Sequence, residues 1–384
     1  MKVLVKTPLS PYSGYGNDGI GLLRALIRMG VDVYVEPSHV SPPLPPDVAH
    51  LLTKRLQAPF DLLIQHADPA QLSITPEARK AAKTAVAWTM WEFTTIDNMK
   101  GRSSLRKKLR NFDAVFGYDA ISSGALAPYL PAHKLGTLQG GYWPEEWPYM
   151  QRDWNSDRFG FCMVGALHQR KEPFLAITAF QELKQEYPEE FEPAELHLKT
   201  VTPGLHMAMQ EWVPKLRVHY TVWPDSVLRE FYGAQHCLLA PSRGEGKNMP
   251  ALEFLSTGGT VIATDFGGHK QWLSPSYAYP LDYTLLPESA SLPNCMSARA
   301  SKDHLKQLML HVFRNRDEAR NKGQLAANII PTMCGWEAVM ERFFDRLADI
   351  VPGAQMLLAQ ARAAKDAFAA TSALVQRMHG ADHH

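Results

Sequence analysis

Short apolar runs alternate with segments of helical periodicity along the first part of the chain. The runs are five or six residues long and rich in Val, Ile, Leu and Ala. They lie at residues 2–6, 32–36, 61–66, 84–88 and 114–118. Between the first two, residues 19–30 repeat their apolar positions at the spacing of a helix. This alternation predicts βαβ units that form a parallel sheet.

The pattern restarts after a polar bridge rich in tryptophan at residues 140–158. Strand-like runs lie at residues 161–165, 195–200, 217–222, 236–242 and 260–264, and helical segments lie at 173–186 and 225–235. The repetition predicts an α/β protein with two doubly wound domains that join near residue 150.

Beyond residue 335 the pattern is helical almost to the end of the chain. Its periodic apolar positions predict helices that pack on a protein surface rather than on a membrane. We therefore predict three parts. Residues 1–150 form an N-terminal domain, residues 151–335 a C-terminal domain, and residues 336–384 helices that pack back on the body. Contact with a neighbouring subunit through these helices, in a homo-oligomer, stays open.

The composition of the chain limits which partners it can bind through charge alone and in which cellular compartment we expect it. The 384 residues include 40 basic and 39 acidic ones, a net charge of +1, so the whole chain has no strong attraction for nucleic acid or an anionic membrane. The four cysteines form no C-x-x-C pair, which suits a reducing compartment. The apolar run at residues 2–6 is too short for a signal peptide, and no apolar stretch is long enough to span a bilayer. We expect a cytoplasmic protein.

The stretch RGEGKNMPALEFLSTGGTVIATDFGG, residues 243–268, carries two acids, Glu245 and Glu253. The predicted strand before it leads into a glycine-containing loop that holds Glu245. Pro250 suits the first turn of a helix, and the pair of glycines after residue 257 suits its end. Ligands of open parallel sheets bind beyond the carboxyl ends of the strands. Glu245 is thus expected to face a cleft, with Glu253 in the first turns of the helix.

Two carboxylates in such a place suit a phosphorylated sugar. Carboxylate oxygens accept hydrogen bonds from vicinal hydroxyl groups, and the N–H groups of a helix start favour a phosphate near Lys247 to Met249. One acid on each side of a diphosphate would hold a ribose and a sugar. For either acid alone, the plain reading stays open: a favourable charge at a helix start for Glu253 and a solvated loop acid for Glu245.

Taken whole, the stretch resembles the E-x7-E motif of retaining GT-B glycosyltransferases, most like glycosyltransferase family 4. The matching residues are Glu245, Gly246, Pro250, Leu252, Glu253, Gly258, Val261, Ile262, Ala263, Thr264, Asp265, Gly267 and Gly268. The resemblance implies GT-B architecture, with two Rossmann-like domains that face a cleft. It also implies that Glu245 contacts the transferred sugar and that Glu253 binds the nucleotide ribose. Further donor contacts are expected from Gly246, Lys247, Asn248 and Met249.

A second segment, FCMVGALHQRKEPFLAITAF, resembles the family's strand, G-R-x-x-x-x-K-G loop and helix, whose basic residues hold the donor diphosphate. Lys171 lies six residues after Gly165, as in that pattern. The arginine that usually follows the glycine is replaced by Ala166, and Arg170 is the candidate substitute. The implied catalytic set is Glu245, Lys171 and Arg170, with Gly165 on the donor side.

The string GYGNDG, residues 14–19, has the spacing G-x-G-x-x-G, and Glu36 closes the next predicted strand. Together they raise a rival reading, an oxidoreductase that binds a nicotinamide dinucleotide. Seven residues separate the first strand from Gly14, whereas that fingerprint should follow its strand directly. We expect a long, mobile glycine loop that covers the donor through Gly14 and Gly16. Plain turn glycines stay open.

Acceptor contacts are expected from the first domain. Residues 87–98, AWTMWEFTTIDN, resemble a T-x-x-E-T segment of some family 4 members, which implies acceptor roles for Thr89 and Glu92. His66 ends a predicted strand and is a weaker candidate. The basic stretch at residues 100–110 is interpreted as a solvated helix, with contact to a polyanionic acceptor as the alternative.

The predicted reaction is retaining transfer of a hexosyl or related sugar from a nucleoside-diphosphate sugar, such as a UDP-sugar or GDP-sugar, to an acceptor hydroxyl. The chain lacks a D-x-D signature, so no metal and no cofactor are expected. The acceptor is a glycan, a small molecule or modified DNA. Four alternatives stay open: the same chemistry on hydroxymethylated bases of DNA, a sugar-nucleotide epimerase, an NAD-dependent oxidoreductase and a binding protein without activity.

Overall fold

The computed structural model describes residues 1–96, 99, 102–201 and 212–381, with side chains described as far as residue 372. The chain forms two compact units. The first contains Met1–Trp91, Thr95–Gly141 and Trp336–His384, and the second contains Glu92–Thr94 and Tyr142–Gly335. The chain thus enters the main part of the second unit at residue 142, about eight residues before the boundary predicted near 150, and returns to the first unit at residue 336.

The first unit contains a six-stranded sheet in which every pair of neighbours is parallel, with the order β2-β1-β3-β4-β5-β6. The strands are β1 Lys2–Leu9, β2 Asp32–Val40, β3 Phe60–His66, β4 Ala82–Thr89, β5 Ala114–Gly117 and β6 Leu135–Thr137. The apolar runs predicted at 2–6, 32–36, 61–66, 84–88 and 114–118 are all strands, because buried parallel strands need continuous apolar sequence.

Helices cover this sheet, and several begin at a side chain that caps them. They are Gly14–Arg28, Pro46–Ala49, Pro76–Ala81, Leu105–Leu109, Ala120–Leu126, Trp336–Ile350 and Gln355–Ala381. Thr75 and Asp119 each accept a hydrogen bond from a backbone N–H in the first turn that follows them.

The C-terminal helices pack on the core of the first unit. The Trp336 indole lies so close to Gly21 that a Cβ there would come within 2.1 Å of its Nε1 atom. Phe343 stacks on Trp88 with ring centroids 5.3 Å apart. Farther along, the backbone at Ala364 and the side chain of Phe368 cover Gly30. The chain after residue 335 therefore completes the first unit.

The second unit repeats the architecture with a six-stranded sheet, order β12-β11-β10-β7-β8-β9, and an antiparallel hairpin β13-β14. The strands are β7 Phe159–Gly165, β8 Ala194–Thr200, β9 Leu216–Tyr220, β10 Cys237–Ala240, β11 Thr260–Thr264, β12 Tyr279–Leu281, β13 Tyr283–Pro287 and β14 Met296–Ala300. Its helices are Pro173–Glu186, Asp225–Ala234, Met249–Ser256, Lys302–Arg314 and Arg316–Cys334.

Both faces of the second sheet are buried. Along β7, Phe161 and Met163 belong to one apolar cluster, whereas Cys162 and Val164 belong to the other. Successive residues of a strand point to opposite faces, so this strand must be apolar throughout. The carboxyl ends of its central strands then open on one edge, where the acids of residues 243–268 follow β10.

The long mobile loop predicted at residues 14–19 is wrong, because these residues begin a helix. Ser13 caps it by accepting a hydrogen bond from the N–H of Gly16. Gly16 packs against Ser10, and a Cβ on Gly19 would lie 2.4 Å from the carbonyl oxygen of Pro8. The glycines therefore allow the helix to lie close to the end of β1.

The basic segment 100–110 contains the short helix Leu105–Leu109, as predicted. Its first two residues, and the last two of the segment 87–98, lie outside the described residues. Among the helices that the structure describes, none has the length and hydrophobicity needed to cross a bilayer.

Substitution of Gly323 tests how closely the helix Arg316–Cys334 packs on the rest of the second unit. It lies within the helix Arg316–Cys334, and a Cβ there would come within 2.2 Å of the carbonyl oxygen of Gly258. We expect Gly323→Ala to destabilise the protein by about 1–3 kcal/mol, because backbone atoms must move. The matched control is Gly124→Ala in the helix Ala120–Leu126, where an added Cβ would have no atom of a packing neighbour within 4 Å. It should stabilise by about 0.5–1 kcal/mol.

Chemical unfolding of both variants beside the parent protein measures the difference. Equal stability of the two alanine variants would contradict the close contact at Gly323.

Candidate active site

The loop between β10 and the helix Met249–Ser256 holds Glu245, and backbone hydrogen bonds fix it on both sides. The N–H of Gly268 donates to the carbonyl oxygen of Glu245 at 2.7 Å, and the N–H of Arg243 donates to that of Arg170 at 2.8 Å. A Cβ on Gly268 would lie 2.1 Å from the carbonyl oxygen of Gly246, so only glycine fits. The loop is therefore joined to the turns that follow β7 and β11.

Glu245 is a buried carboxylate held by two cations. Lys171 Nζ lies 2.5 Å from its Oε1 atom, and Arg170 Nη1 lies 3.3 Å from its Oε2 atom. The Glu245 side chain is 5% exposed. Burial by itself raises the pKa of Glu245, but the charges of Lys171 and Arg170 outweigh it and hold that pKa well below its usual range. Glu245 is thus ionised at neutral pH, and the alternative of a solvated loop acid does not describe it.

Lys171 reaches Glu245 from a short turn after β7. The strand ends at Gly165, whose φ of +130° favours glycine, and the 3₁₀ turn Gln169–Lys171 follows. Burial lowers the pKa of Lys171, and the charge of Glu245 opposes that shift. The spacing of six residues between Gly165 and Lys171 thus places the ammonium group of Lys171 beside the carboxylate of Glu245.

Arg170 lies between two carboxylates. Its Nη1 atom faces Glu245, and its Nη2 atom lies 3.4 Å from Oε1 of Glu92. The guanidinium also donates to the carbonyl oxygen of Gly244. Burial lowers the pKa of Arg170, but the charges of Glu245 and Glu92 outweigh burial and raise it. Arg170, the substitute predicted for the missing arginine, is therefore a charged member of this cluster.

Glu92 belongs to a three-residue segment, Glu92–Thr94, that clusters with the second unit. The N–H of Thr94 donates to the carbonyl oxygen of Met296 at 3.2 Å, and the N–H of Met296 donates to Oγ1 of Thr94 at 2.8 Å. A Cβ on Gly244 would lie 2.2 Å from the carbonyl oxygen of Glu92. The segment is therefore seated between β14 and the loop of Glu245.

Glu253 lies on the second turn of the helix Met249–Ser256, with Pro250 in its first turn as predicted. Its Oε2 atom accepts a hydrogen bond of 3.0 Å from the Tyr232 hydroxyl. Burial raises the pKa of Glu253 to about 8; the Tyr232 hydrogen bond opposes this rise, and the charge of Asp225 adds to it. Ligand hydroxyls that donate to the ionised form would offset this burial.

Arg152 fixes the two helices that carry Tyr232 and Glu253. Its buried guanidinium donates to the carbonyl oxygen of Tyr232 at 3.0 Å and to Oγ1 of Thr257 at 2.6 Å. Burial lowers the pKa of Arg152 to about 10. The sequence analysis missed this residue, because an arginine in the tryptophan-rich bridge gives no sign of partners about 80 and 105 residues away.

His269 supports the start of the helix that carries Glu253. Its Nδ1–H donates to the carbonyl oxygen of Thr264 at 2.8 Å, and its Nε2 accepts from the Asn248 amide at 2.9 Å. Burial lowers the pKa of His269, which suits this neutral form. The Trp272 indole donates to the carbonyl oxygen of Lys247 at 2.9 Å. His269 was also missed, although its place directly after two motif glycines was a usable signal.

The remaining donor-side candidates are distributed over both units. Gly246, Lys247 and Asn248 lie in the loop of Glu245, and Met249 is the first residue of the helix that follows. Gly14 and Gly16 lie in the first turn of a helix of the first unit. The structure thus brings Glu245, Lys171, Arg170 and Glu92 together, with Glu253 on the helix that follows the same loop.

The acceptor-side candidates His66 and Thr89 end β3 and β4 of the first unit, where both are buried. His66 Nδ1 lies 3.0 Å from Oγ1 of Thr7, and its Nε2 lies 2.8 Å from the Tyr118 hydroxyl, which donates to Asp18 at 3.0 Å. His66 therefore belongs to a buried polar network.

Thr89 Oγ1 is buried and has no hydrogen-bond partner among the residues that the structure describes. Within that same part of the chain, no group of three or more His, Cys, Asp or Glu side chains is arranged to hold a metal ion.

Comparison with known proteins gives a family match over part of the chain and a set of similar folds. Residues 158–281 match the family described as Glycosyl transferases group 1. The matched range runs from the start of β7 to the end of β12 and contains Lys171, Glu245 and Glu253. No curated protein matches this chain in sequence.

The structure is similar to several solved proteins. Sucrose-phosphate synthase from Thermosynechococcus elongatus has a TM-score of 0.65 at 13% identity, over 90% of this chain and 99% of that one. HepE of Anabaena, solved in complex with UDP, has a TM-score of 0.61 at 13% identity, over 91% and 100%. WaaG, a glycosyltransferase involved in lipopolysaccharide biosynthesis, has a TM-score of 0.58 at 14% identity, over 92% and 100%. The predicted GT-B fold is confirmed.

The raised pKa of Glu253 predicts how stability depends on pH. With a folded-state pKa of about 8, the native carboxyl keeps its proton between about pH 4.3 and 8 while the unfolded chain releases it, so stability falls as pH rises through that window. Glu253→Gln keeps an acceptor for Tyr232 and cannot ionise. We expect its melting temperature to exceed that of the parent by roughly several degrees at pH 9 and to be nearly equal at pH 4.

Thermal unfolding at the two pH values measures the effect. A constant difference between the two proteins at both pH values would contradict the shifted ionisation.

Proposed function

We propose that the protein is a glycosyltransferase that moves a sugar from a nucleoside diphosphate to an acceptor hydroxyl, with retention of anomeric configuration. The observation that carries the proposal is the cluster of the buried Glu245 with the partly buried Lys171 and Arg170, beyond the carboxyl ends of β7 and β10. It lies within the range that matches the Glycosyl transferases group 1 family. A cluster of opposite charges in that position suits a ligand with both phosphates and hydroxyl groups.

The donor would lie along the loop that joins the two acids. Glu253 accepts hydrogen bonds from the ribose hydroxyls. These hydrogen bonds stabilise the ionised carboxylate and so oppose the rise in its pKa that burial causes. The diphosphate lies near Lys171, Arg170 and the start of the helix Met249–Ser256, where backbone N–H groups point outward. Gly165, with no atom within 4 Å of the place a Cβ would take, leaves room for a phosphate beside the backbone.

The chemical step separates charge, and this cluster suits that separation. Negative charge grows on the departing diphosphate, where Lys171 and Arg170 stabilise it. Positive charge grows on the sugar, where the ionised Glu245 provides a nearby negative group and an acceptor for a sugar hydroxyl. Because the pKa of Glu245 is held low, it is a poor proton acceptor. The acceptor oxygen bonds to the anomeric carbon on the same face from which the diphosphate departs, and a departing phosphate oxygen takes the acceptor's proton. Attack on that face preserves the configuration, and the step needs neither an enzyme nucleophile nor a metal.

UDP-sugars are the first donors to test, since the similar protein HepE was solved in complex with UDP and with UDP-glucose. The family 4 resemblance extends to Glu253 and to the glycines after β11, so a GT4-like enzyme is the narrower form of the proposal. The acceptor stays a glycan, a small molecule or modified DNA.

The oxidoreductase alternative loses its main support. The glycines of residues 14–19 lie in a helix, where they permit close packing against the end of β1. A dinucleotide fingerprint needs them in the turn between strand and helix.

A donor screen followed by matched variants tests the proposal. We expect at least one of a panel of UDP-, GDP- and ADP-sugars to raise the melting temperature; a donor at 100 times its Kd adds about 2.7 kcal/mol. With the donor identified, Glu245→Gln should lower kcat by roughly 10²–10³-fold while donor binding survives in part. The control is Glu182→Gln, which removes the ion pairs to Lys302 and Lys306 elsewhere in the same unit.

Product analysis with donor alone and with candidate acceptors separates transfer from epimerisation. The proposal is wrong if no nucleotide sugar stabilises the protein, or if Glu245→Gln and Glu182→Gln both keep the parent's rate.

A further inference from the structure

Arg170 is shared between two carboxylates that differ in how firmly the fold holds them. Its two terminal nitrogens lie 3.3 Å from Glu245 and 3.4 Å from Glu92. Glu245 is 5% exposed and is also paired with Lys171, whereas the Glu92 side chain is 25% exposed. Of the two acids, Glu92 is the one that can leave the guanidinium for water at small cost.

The four groups balance in charge. Arg170 and Lys171 carry two positive charges, and Glu245 and Glu92 carry two negative ones. The adjoining ion pairs, in which Arg243 meets Glu172 and Arg299 meets Glu288, are balanced as well. Among these charged side chains a diphosphate would find no net positive charge. Its attraction to Lys171 and Arg170 therefore grows when one of the two carboxylates gives up its cation.

We infer that Glu92 is a positioning residue that holds Arg170 in place without the donor and competes with the donor diphosphate for its guanidinium. The inference rests on the proposed function, because it names what happens at that same site. When the diphosphate binds, Arg170 exchanges a carboxylate partner for a phosphate partner, and Glu92 turns to solvent. When the product leaves, Glu92 returns and helps to expel the nucleoside diphosphate.

The competition has a signature that a purely structural role lacks. Removing the charge of Glu92 should tighten binding of a ligand in proportion to its phosphate charge, and only while Arg170 is present. A residue that merely stabilised the segment Glu92–Thr94 would, when changed, weaken all ligands alike and lower the melting temperature.

Isothermal titration with UDP, and with GDP in a parallel arm, tests the inference on the whole protein. We expect Glu92→Gln to lower the Kd for the diphosphate by about five- to tenfold, close to 1.4 kcal/mol at the upper end. UMP should gain roughly twofold or less, since it brings less charge. Glu92→Ala should show the same gain, and Glu182→Gln should show none.

A double-mutant cycle shows whether the effect passes through Arg170. In the Arg170→Gln background, Glu92→Gln should change the Kd for UDP by less than about twofold. UDP should also become a stronger product inhibitor of Glu92→Gln, in line with its lower Kd.

The outcomes separate this inference from the proposed function. If the parent binds a diphosphate but Glu92→Gln binds it equally or more weakly, the inference is wrong and the proposed function stands. A gain that persists in the Arg170→Gln background also overturns it. If the parent binds neither UDP nor GDP, the proposed function for these donors fails, and the inference fails with it.

Discussion

The contact between Lys171 and Glu245 is the interaction on which the site depends. The Glu245 side chain is 5% exposed and the Lys171 side chain 14% exposed, so each charge alone would be costly. Removing one member of a buried ion pair commonly costs about 3–5 kcal/mol. The pair forms only when the turn after β7 and the loop after β10 stand at the correct separation. The hydrogen bond between the backbones of Arg170 and Arg243 and the close approach of Gly268 to Gly246 maintain that separation. The parallel sheet of the second unit thus fixes the positions of the two segments that carry this ion pair.

The two glutamates show how neighbours decide the chemistry of identical side chains. Both are buried, which alone raises the pKa of a carboxyl group. Glu245 faces two cations, and its pKa falls. Glu253 faces a tyrosine hydroxyl, and its pKa rises to about 8. In the proposed enzyme, Glu245 is therefore a permanent negative charge beside the sugar. Glu253 is a hydrogen-bonding partner for the nucleotide, and the ribose hydroxyls supply the donors that its carboxylate lacks.

Local patterns in the sequence predicted most of the strands of both sheets. Apolar runs located these strands, whereas the resemblance to family 4 motifs singled out Lys171, Glu245 and Glu253, which follow neighbouring strands of the second sheet. The failures have a common cause. Arg152, His269 and the contact of Glu92 with Arg170 depend on partners distant in sequence, which periodicity does not reveal. The glycines of residues 14–19 wrongly predicted a mobile loop. These residues form the start of a helix, because Ser13 caps it and the glycines allow close packing on β1.

A crystal structure of the protein with UDP tests the central claim most directly. The account predicts ribose hydroxyls within about 3.2 Å of the Glu253 carboxylate and phosphate oxygens at similar distances from Lys171 or Arg170. It also predicts that Glu245 lies beyond the diphosphate, where a sugar would follow. A bound UDP that touches none of these four side chains would contradict the account.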